Sequence, residues 1–206
     1  MKNSAKSRKS TVPMGRPRAF DLERALDIAL RIFWEKGYEG TALSDLTEAM
    51  GINRPSLYAA FGNKEALFRK ALDRYADGPA SYVREALKEL TARAVVERLL
   101  RATADALGDP RTPPGCLAVQ GALACGKAAD SIRRELASRR AAGEAALRRR
   151  LERARSDGDL PRAAIPADLA RYVATVCQGM AVQASGGASR ERLRRVAETA
   201  LRAWPK

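Results

Sequence analysis

Apolar side chains recur at helical spacing from residue 25 to residue 204, and this pattern divides the chain into a series of helices. Ala25, Leu26, Ala29, Leu30 and Phe33 predict a first helix, with Asp21 as its N-cap, Phe20 as a hydrophobic staple and Gly37 at its end. Leu43, Leu46, Ala49 and Met50 predict a short second helix closed by Gly51. A third short helix follows at once with Pro55 in its first turn, where a missing N–H costs nothing. Asn63 then caps a helix that opens Lys64-Glu65-Ala66-Leu67 and runs toward Tyr75, before Gly78-Pro79 breaks it. Trp34 and Tyr38 are expected to pack in the core or at a helix end.

Farther along, helices are predicted near Ser81–Leu90 and Thr91–Leu107, the latter carrying Val95, Leu99 and Leu100. Gly108-Asp109-Pro110 and Pro113-Pro114-Gly115 bracket a rigid loop. A buried small-residue helix is predicted from Gly115 to Gly126, and a longer one from Asp130 to Arg155 with Ile132, Leu136, Leu147 and Leu151 on one stripe. Asp157-Gly158-Asp159-Leu160-Pro161 ends it. The helix from Asp168 to about Ala184 has two apolar stripes, one with Leu169, Val173, Val176 and Met180, the other with Ala170, Ala174, Cys177, Ala181 and Ala184. Two stripes need two partners. The last helix carries Leu193, Val196, Ala197, Ala200, Leu201 and Trp204 on one side. No period suggests a solenoid.

Composition agrees with an all-α fold. Of the 206 residues, 46% are hydrophobic but only 5% aromatic, which favours helices packed on small side chains. The net charge of +14 predicts an anionic partner, nucleic acid first and a membrane surface second. The charge does not locate the site. Residues 1 to 20 contribute +6 through Lys2, Lys6, Arg8, Lys9, Arg16 and Arg18, and residues 21 to 65 contribute −3, so +11 lies beyond. The absence of histidine excludes Ser/His and Cys/His catalysis, and no phosphate-binding or dinucleotide glycine motif is present, so no enzyme and no cofactor is expected. Cys116, Cys125 and Cys177 are read as structural, with a redox sensor as the alternative, and no metal site is expected. No apolar run approaches the length of a membrane span, so a soluble, cytoplasmic protein is expected.

Two short helices joined at Gly51, the second with small polar and aromatic residues, read as a helix-turn-helix. With Thr41, Leu57-Tyr58, Phe61 and Lys64-Glu65 before Leu67, the unit resembles the DNA-reading module of the TetR family of bacterial regulators. The likeness is strongest over residues 16 to 68, and Gly115-Cys116-Leu117, Gly158-Asp159-Leu160-Pro161 and Gly179-Met180 are similar to one branch of the family. It implies a basic arm at 1–19, a helix-turn-helix domain at 20–66 and an effector-binding and dimerisation domain at 67–206.

The resemblance further implies a homodimeric repressor on a palindromic operator in double-stranded DNA, released by a small-molecule effector. Arg54, Pro55 and Ser56 would face the major groove, while Thr41, Asn53, Tyr58 and Lys64 would hold phosphates. Arg16 and Arg18 would lie along the minor groove or contact phosphate loosely. The dimer is expected on Ala170, Ala174, Cys177 and Ala181, with Leu201 and Trp204. The effector pocket is expected among Tyr75, Tyr82, Leu99, Thr103, Leu117 and Met180. A helical protein that binds DNA without sequence preference, or a redox-responsive regulator on the same fold, remains the alternative.

Overall fold

The computed structural model describes residues 21–123 and 129–205, with the side chains of 121–123 left aside. Arg16, Arg18 and Cys125 lie outside the described residues. Ten helices fill the rest: α1 (Leu22–Gly40), α2 (Leu43–Met50), α3 (Arg54–Phe61), α4 (Lys64–Asp77), α5 (Tyr82–Ala86), α6 (Ala92–Leu107), α7 (Leu117–Leu123), α8 (Asp130–Ser156), α9 (Pro166–Ser185) and α10 (Arg190–Arg202). Among the described residues there is no strand, and no helix is long and apolar enough to cross a membrane.

Local chemistry starts and stops the first four helices. The Asp21 carboxylate accepts from the Glu23 and Arg24 N–H groups, and Asn53 and Asn63 cap α3 and α4 through the N–H of Ser56 and Ala66. Each such cap satisfies a donor that the helix itself leaves unpaired. At Gly37 the backbone leaves the helical region (φ 71°, ψ 175°), so α1 is regular only to Lys36 and finishes in a further irregular turn. Gly51 takes the left-handed conformation (φ 65°, ψ 32°) that turns α2 into α3.

The four helices close on Phe33, Leu46, Leu57, Leu67 and Phe68, all buried. Phe33 and Phe68 meet edge to face with centroids 4.9 Å apart. α1 packs chiefly on α4, and Arg74 of α4 holds Glu23 and Asp27 of α1. This core continues past residue 66, through Ala71, Leu72 and Tyr75, and takes in Ile132 and Leu136 from α8.

The second core gathers α5, α6, α9, α10 and the far half of α8, where Leu147, Leu151 and Ala154 are buried. At 27 residues, α8 is about 40 Å long. It therefore serves both cores, with Ile132 and Leu136 in one and Leu147 and Leu151 in the other. The turn at Gly158-Asp159-Leu160 joins two elements. Leu160 is buried, and the Asp159 carboxylate accepts from the Ala92 N–H at the start of α6.

Candidate nucleic-acid interface and internal cavity

The face of α3 that points away from the protein is set by what the opposite face buries. Leu57 and Phe61 anchor the helix in the core, which leaves Arg54, Pro55, Tyr58 and Ala59 exposed. Arg54 and Tyr58 are one turn apart and share that outer face. Ser56 is half-buried and its N–H is taken by the Asn53 cap. The cap uses the Asn53 carbonyl oxygen, so its NH₂ group keeps its donors for an acceptor outside.

Lys64 stands at the N-terminus of α4, with its ammonium 4.5 Å from the centre of the Tyr38 ring. A cation over an aromatic face is held by the ring's quadrupole. Partial burial lowers the Lys64 pKa, an effect that Glu39 and Asp45 oppose. Tyr38 is thus a platform for Lys64, a role that its expected packing does not reveal. The only signal in the sequence is an aromatic 26 residues away.

Thr41 requires a correction. It is 1% exposed, and its hydroxyl donates to the Gly37 carbonyl at 2.7 Å. Where Gly37 departs from the helix, a carbonyl needs a donor, and Thr41 supplies it from inside the fold. Its side chain is not offered to a phosphate.

The surface expected to dimerise also needs revision. Ala170 and Ala181 are buried within the chain's own core, and Leu201 and Trp204 are 5% and 4% exposed. Ala174 and Cys177 line an internal cavity. The alanine stripe of α9 and Val173 of the other stripe face its own chain, where α6 and α8 pack on the helix, while Val176 of that second stripe is only half-buried. The face that carries Val176 is left partly outside. With α10 it forms an open groove of about 610 Å³, lined by Tyr172, Val176, Gly179, Gln183, Val196 and Thr199 among others. Tyr172 (39%), Val182 (48%) and Val196 (44%) are large apolar residues exposed on these two helices. The spacing of Tyr172, Val176, Gly179 and Gln183 is the sequence signal for this face.

The cavity among α5, α6, α7, α8 and α9 has a volume of about 170 Å³ and is partly open to the surface, where Gly143 of α8 on its lining is exposed. Of the six residues expected there, Tyr82, Leu99 and Thr103 line it. Tyr75 and Leu117 belong instead to the core of the first four helices, and Met180 lies against the outer groove. The lining also includes Cys116, Arg140, Leu147, Ala174, Cys177 and Ala181, which sequence reasoning does not assign to it. The Thr103 hydroxyl lies 3.6 Å from the Cys177 sulfur and is set near the Tyr82 hydroxyl, whose pKa burial raises. Burial pushes the Cys177 thiol up to about 11, so it stays protonated at neutral pH.

A short segment ties this cavity to the first helices. The Trp34 indole N–H donates to the Gly115 carbonyl at 3.0 Å. Trp34 also meets Tyr75 edge to face at 4.8 Å. The Tyr75 hydroxyl is set against the Cys116 thiol and the Leu117 N–H, and burial raises its pKa. Three consecutive residues therefore touch α1, α4 and the cavity. Gly115 has φ 83°, and a Cβ there would lie 2.4 Å from both Gln120 Nε2 and Ser185 Oγ.

Comparison with known proteins fits this geometry. The sequence profile for bacterial regulatory proteins of the tetR family matches residues 25–71. The HTH-type transcriptional repressor ComR of Escherichia coli K12 is 38% identical over 194 residues, 93% of this chain and 92% of ComR. A cysteine mutant of the TetR family transcriptional regulator CifR, solved with 26-bp double-strand operator DNA, superposes with a TM-score of 0.88. It is 45% identical and covers 92% of this chain and 100% of its own. NemR of E. coli, at 23% identity, shares the fold with a TM-score of 0.70 over 87% of this chain and 94% of its own. Identity on this scale spans the cavity and the outer groove as well as the helix-turn-helix, and so the chain belongs to the TetR family of bacterial transcriptional regulators.

Proposed function

We propose that this protein is a homodimeric repressor that reads a palindromic operator through α3 and leaves it when a small molecule enters the internal cavity. As a regulator of this family it is a transcription factor and not an enzyme. The observation that carries the reading is the outer face of α3, where Arg54, Pro55, Tyr58 and Ala59 stand exposed over a buried Leu57 and Phe61. Arg54 donates to guanine edges or phosphate, the Ala59 methyl meets thymine, and Asn53, Tyr58 and Lys64 hold phosphates. Arg16 and Arg18 of the basic arm add minor-groove or phosphate contacts. Both close relatives support this: ComR is named a repressor, and CifR is solved on operator DNA.

In this reading residues 20–66 read DNA and residues 67–206 bind effector and dimerise. The α9–α10 groove is the self-complementary surface, since a twofold axis brings the same apolar face from two copies together. Release runs through Gly115, Cys116 and Leu117: a ligand against Cys116 shifts the segment that holds Trp34 of α1 and Tyr75 of α4. Because the two sites are linked, DNA weakens the ligand by the factor by which the ligand weakens DNA.

The test is binding of the full-length protein to DNA from upstream of its own gene, against random DNA, across a salt series. We expect a preference of about 10³-fold or more, with two protected half-sites related by a twofold. Equal affinity for both DNAs would favour the non-specific alternative.

A further inference from the structure

We infer that the internal cavity takes a small uncharged molecule of about eight heavy atoms, apolar over most of its surface, with one oxygen received by Tyr82 and Thr103. The inference rests on the cavity being the effector site. Size sets the first limit. A cavity of 150 Å³ is known to hold benzene, so about 170 Å³ admits a ring with one or two further atoms. Leu87, Leu99, Leu107, Val119 and Leu147 supply the walls, which reward an apolar body.

The polar side chains decide the rest. Tyr82, Thr103 and Cys177 form a row of neutral donors and acceptors, two of them already in contact at 3.6 Å. Burial raises the pKa of both Tyr82 and Cys177, so the row presents no anion to a cationic ligand. Among the described residues, Arg140 and Glu144 carry the only charges on the lining, one turn apart on α8 and of opposite sign. Arg140 also donates to the Ala118 carbonyl at 2.8 Å, and Glu144 lies 3.4 Å from Arg171. Each of the two lining charges is thus already engaged, Arg140 by a backbone carbonyl and Glu144 by Arg171, so an ion entering the cavity would have to displace one of these partners to offset its desolvation. A neutral oxygen can join the hydroxyl row without that cost.

Four matched probes test this on the full-length protein: benzyl alcohol, toluene, benzoate and benzylamine, which is protonated at neutral pH. Calorimetric titration and the melting temperature report binding. Benzyl alcohol is expected to bind most tightly, toluene about 3- to 10-fold more weakly for want of one hydrogen bond, and the two ions at least 10-fold more weakly. Thr103→Val should bring benzyl alcohol down to toluene, and Thr103→Ser should restore the difference. Ala174→Phe should fill the cavity and abolish binding of all four. Benzoate or benzylammonium binding as tightly as the alcohol, or no binding by any probe, overturns the inference. Operator affinity is read in the same titrations. An alcohol that binds at Thr103 yet leaves operator affinity unchanged supports the ligand class and sinks release, whereas release by an ion does the reverse.

Discussion

Two exposed surfaces of this molecule make opposite chemical offers. The outer face of α3 is small and polar, with a guanidinium and a phenol one turn apart, and no large aliphatic side chain stands among its exposed residues. The α9–α10 groove is larger and presents Tyr172, Val176 and Val196, with Val182 nearby. A polyanion is bound by the first kind of surface, whose charges release counterions. The second kind gains by losing water against another apolar surface. Each surface is what remains after its helix has buried its other side, so both are consequences of the core.

The sharpest way to break this comparison is to place a charge in the groove. Val196→Glu alters a side chain that is 44% exposed in the single chain, so the fold should hold and the melting of a monomer should change little. The dimer should be lost in sedimentation at micromolar concentration. Operator affinity should fall by about 100-fold or more, because two half-sites can no longer be engaged together. Ala174→Arg is the contrast. It points into the internal cavity, so it should lower stability and spoil ligand binding before it affects assembly. A Val196→Glu variant that remains a dimer with full operator affinity would move the interface off this groove.

The difference between these variants also shows what the sequence can tell. Everything decided within a few residues is legible. Asp21, Asn53 and Asn63 cap where side-chain chemistry says they must, Gly51 turns where a left-handed residue is needed, and Ile132, Leu136, Leu147 and Leu151 are buried as their spacing implies. What depends on distant partners is not. The alanine stripe of α9 suggests a second copy because small side chains suit close approach. They do, but the close neighbours are α6 and α8 of the same chain. Thr41 misleads for the same kind of reason: its hydroxyl is committed to Gly37, whose conformation is a property of the folded helix end. Periodicity says that a face is apolar and is silent on what covers it.

Two glycines refine the point at a smaller scale. Gly51 and Gly115 both have positive φ, but a Cβ at Gly51 would meet nothing within 4 Å. Gly51→Ala should therefore cost only the backbone strain, about 1–2 kcal/mol. At Gly115 the same Cβ collides with Gln120 and Ser185, which are themselves hydrogen-bonded at 2.6 Å. Gly115→Ala should cost about 2–5 kcal/mol, since overpacking adds to strain. Denaturant melts of the two variants check the order. A Gly115→Ala protein as stable as Gly51→Ala would mean that the segment yields easily, and it would then be a poor relay between the cavity and Trp34.

The smallest effect concerns a single charge on the side proposed to face DNA. Lys64 has the helix N-terminus of α4 behind it and the Tyr38 ring beneath it, so its ammonium is held in place before any phosphate arrives. Backbone N–H groups at a helix start attract the same anion that the ammonium does. One phosphate neutralised by one fixed cation corresponds to about one unit in the slope of log K against log salt. Lys64→Ala should therefore flatten that slope by about 1, equally on operator and on random DNA, because phosphates carry no sequence. Arg54→Ala should behave differently, losing more affinity on the operator than on random DNA. Tyr38→Phe keeps the ring, and with it the seat for the ammonium, so it should leave the slope as it is. An unchanged slope in Lys64→Ala would take this residue out of the interface, and the anchoring of α4 would fall to its backbone N–H groups alone.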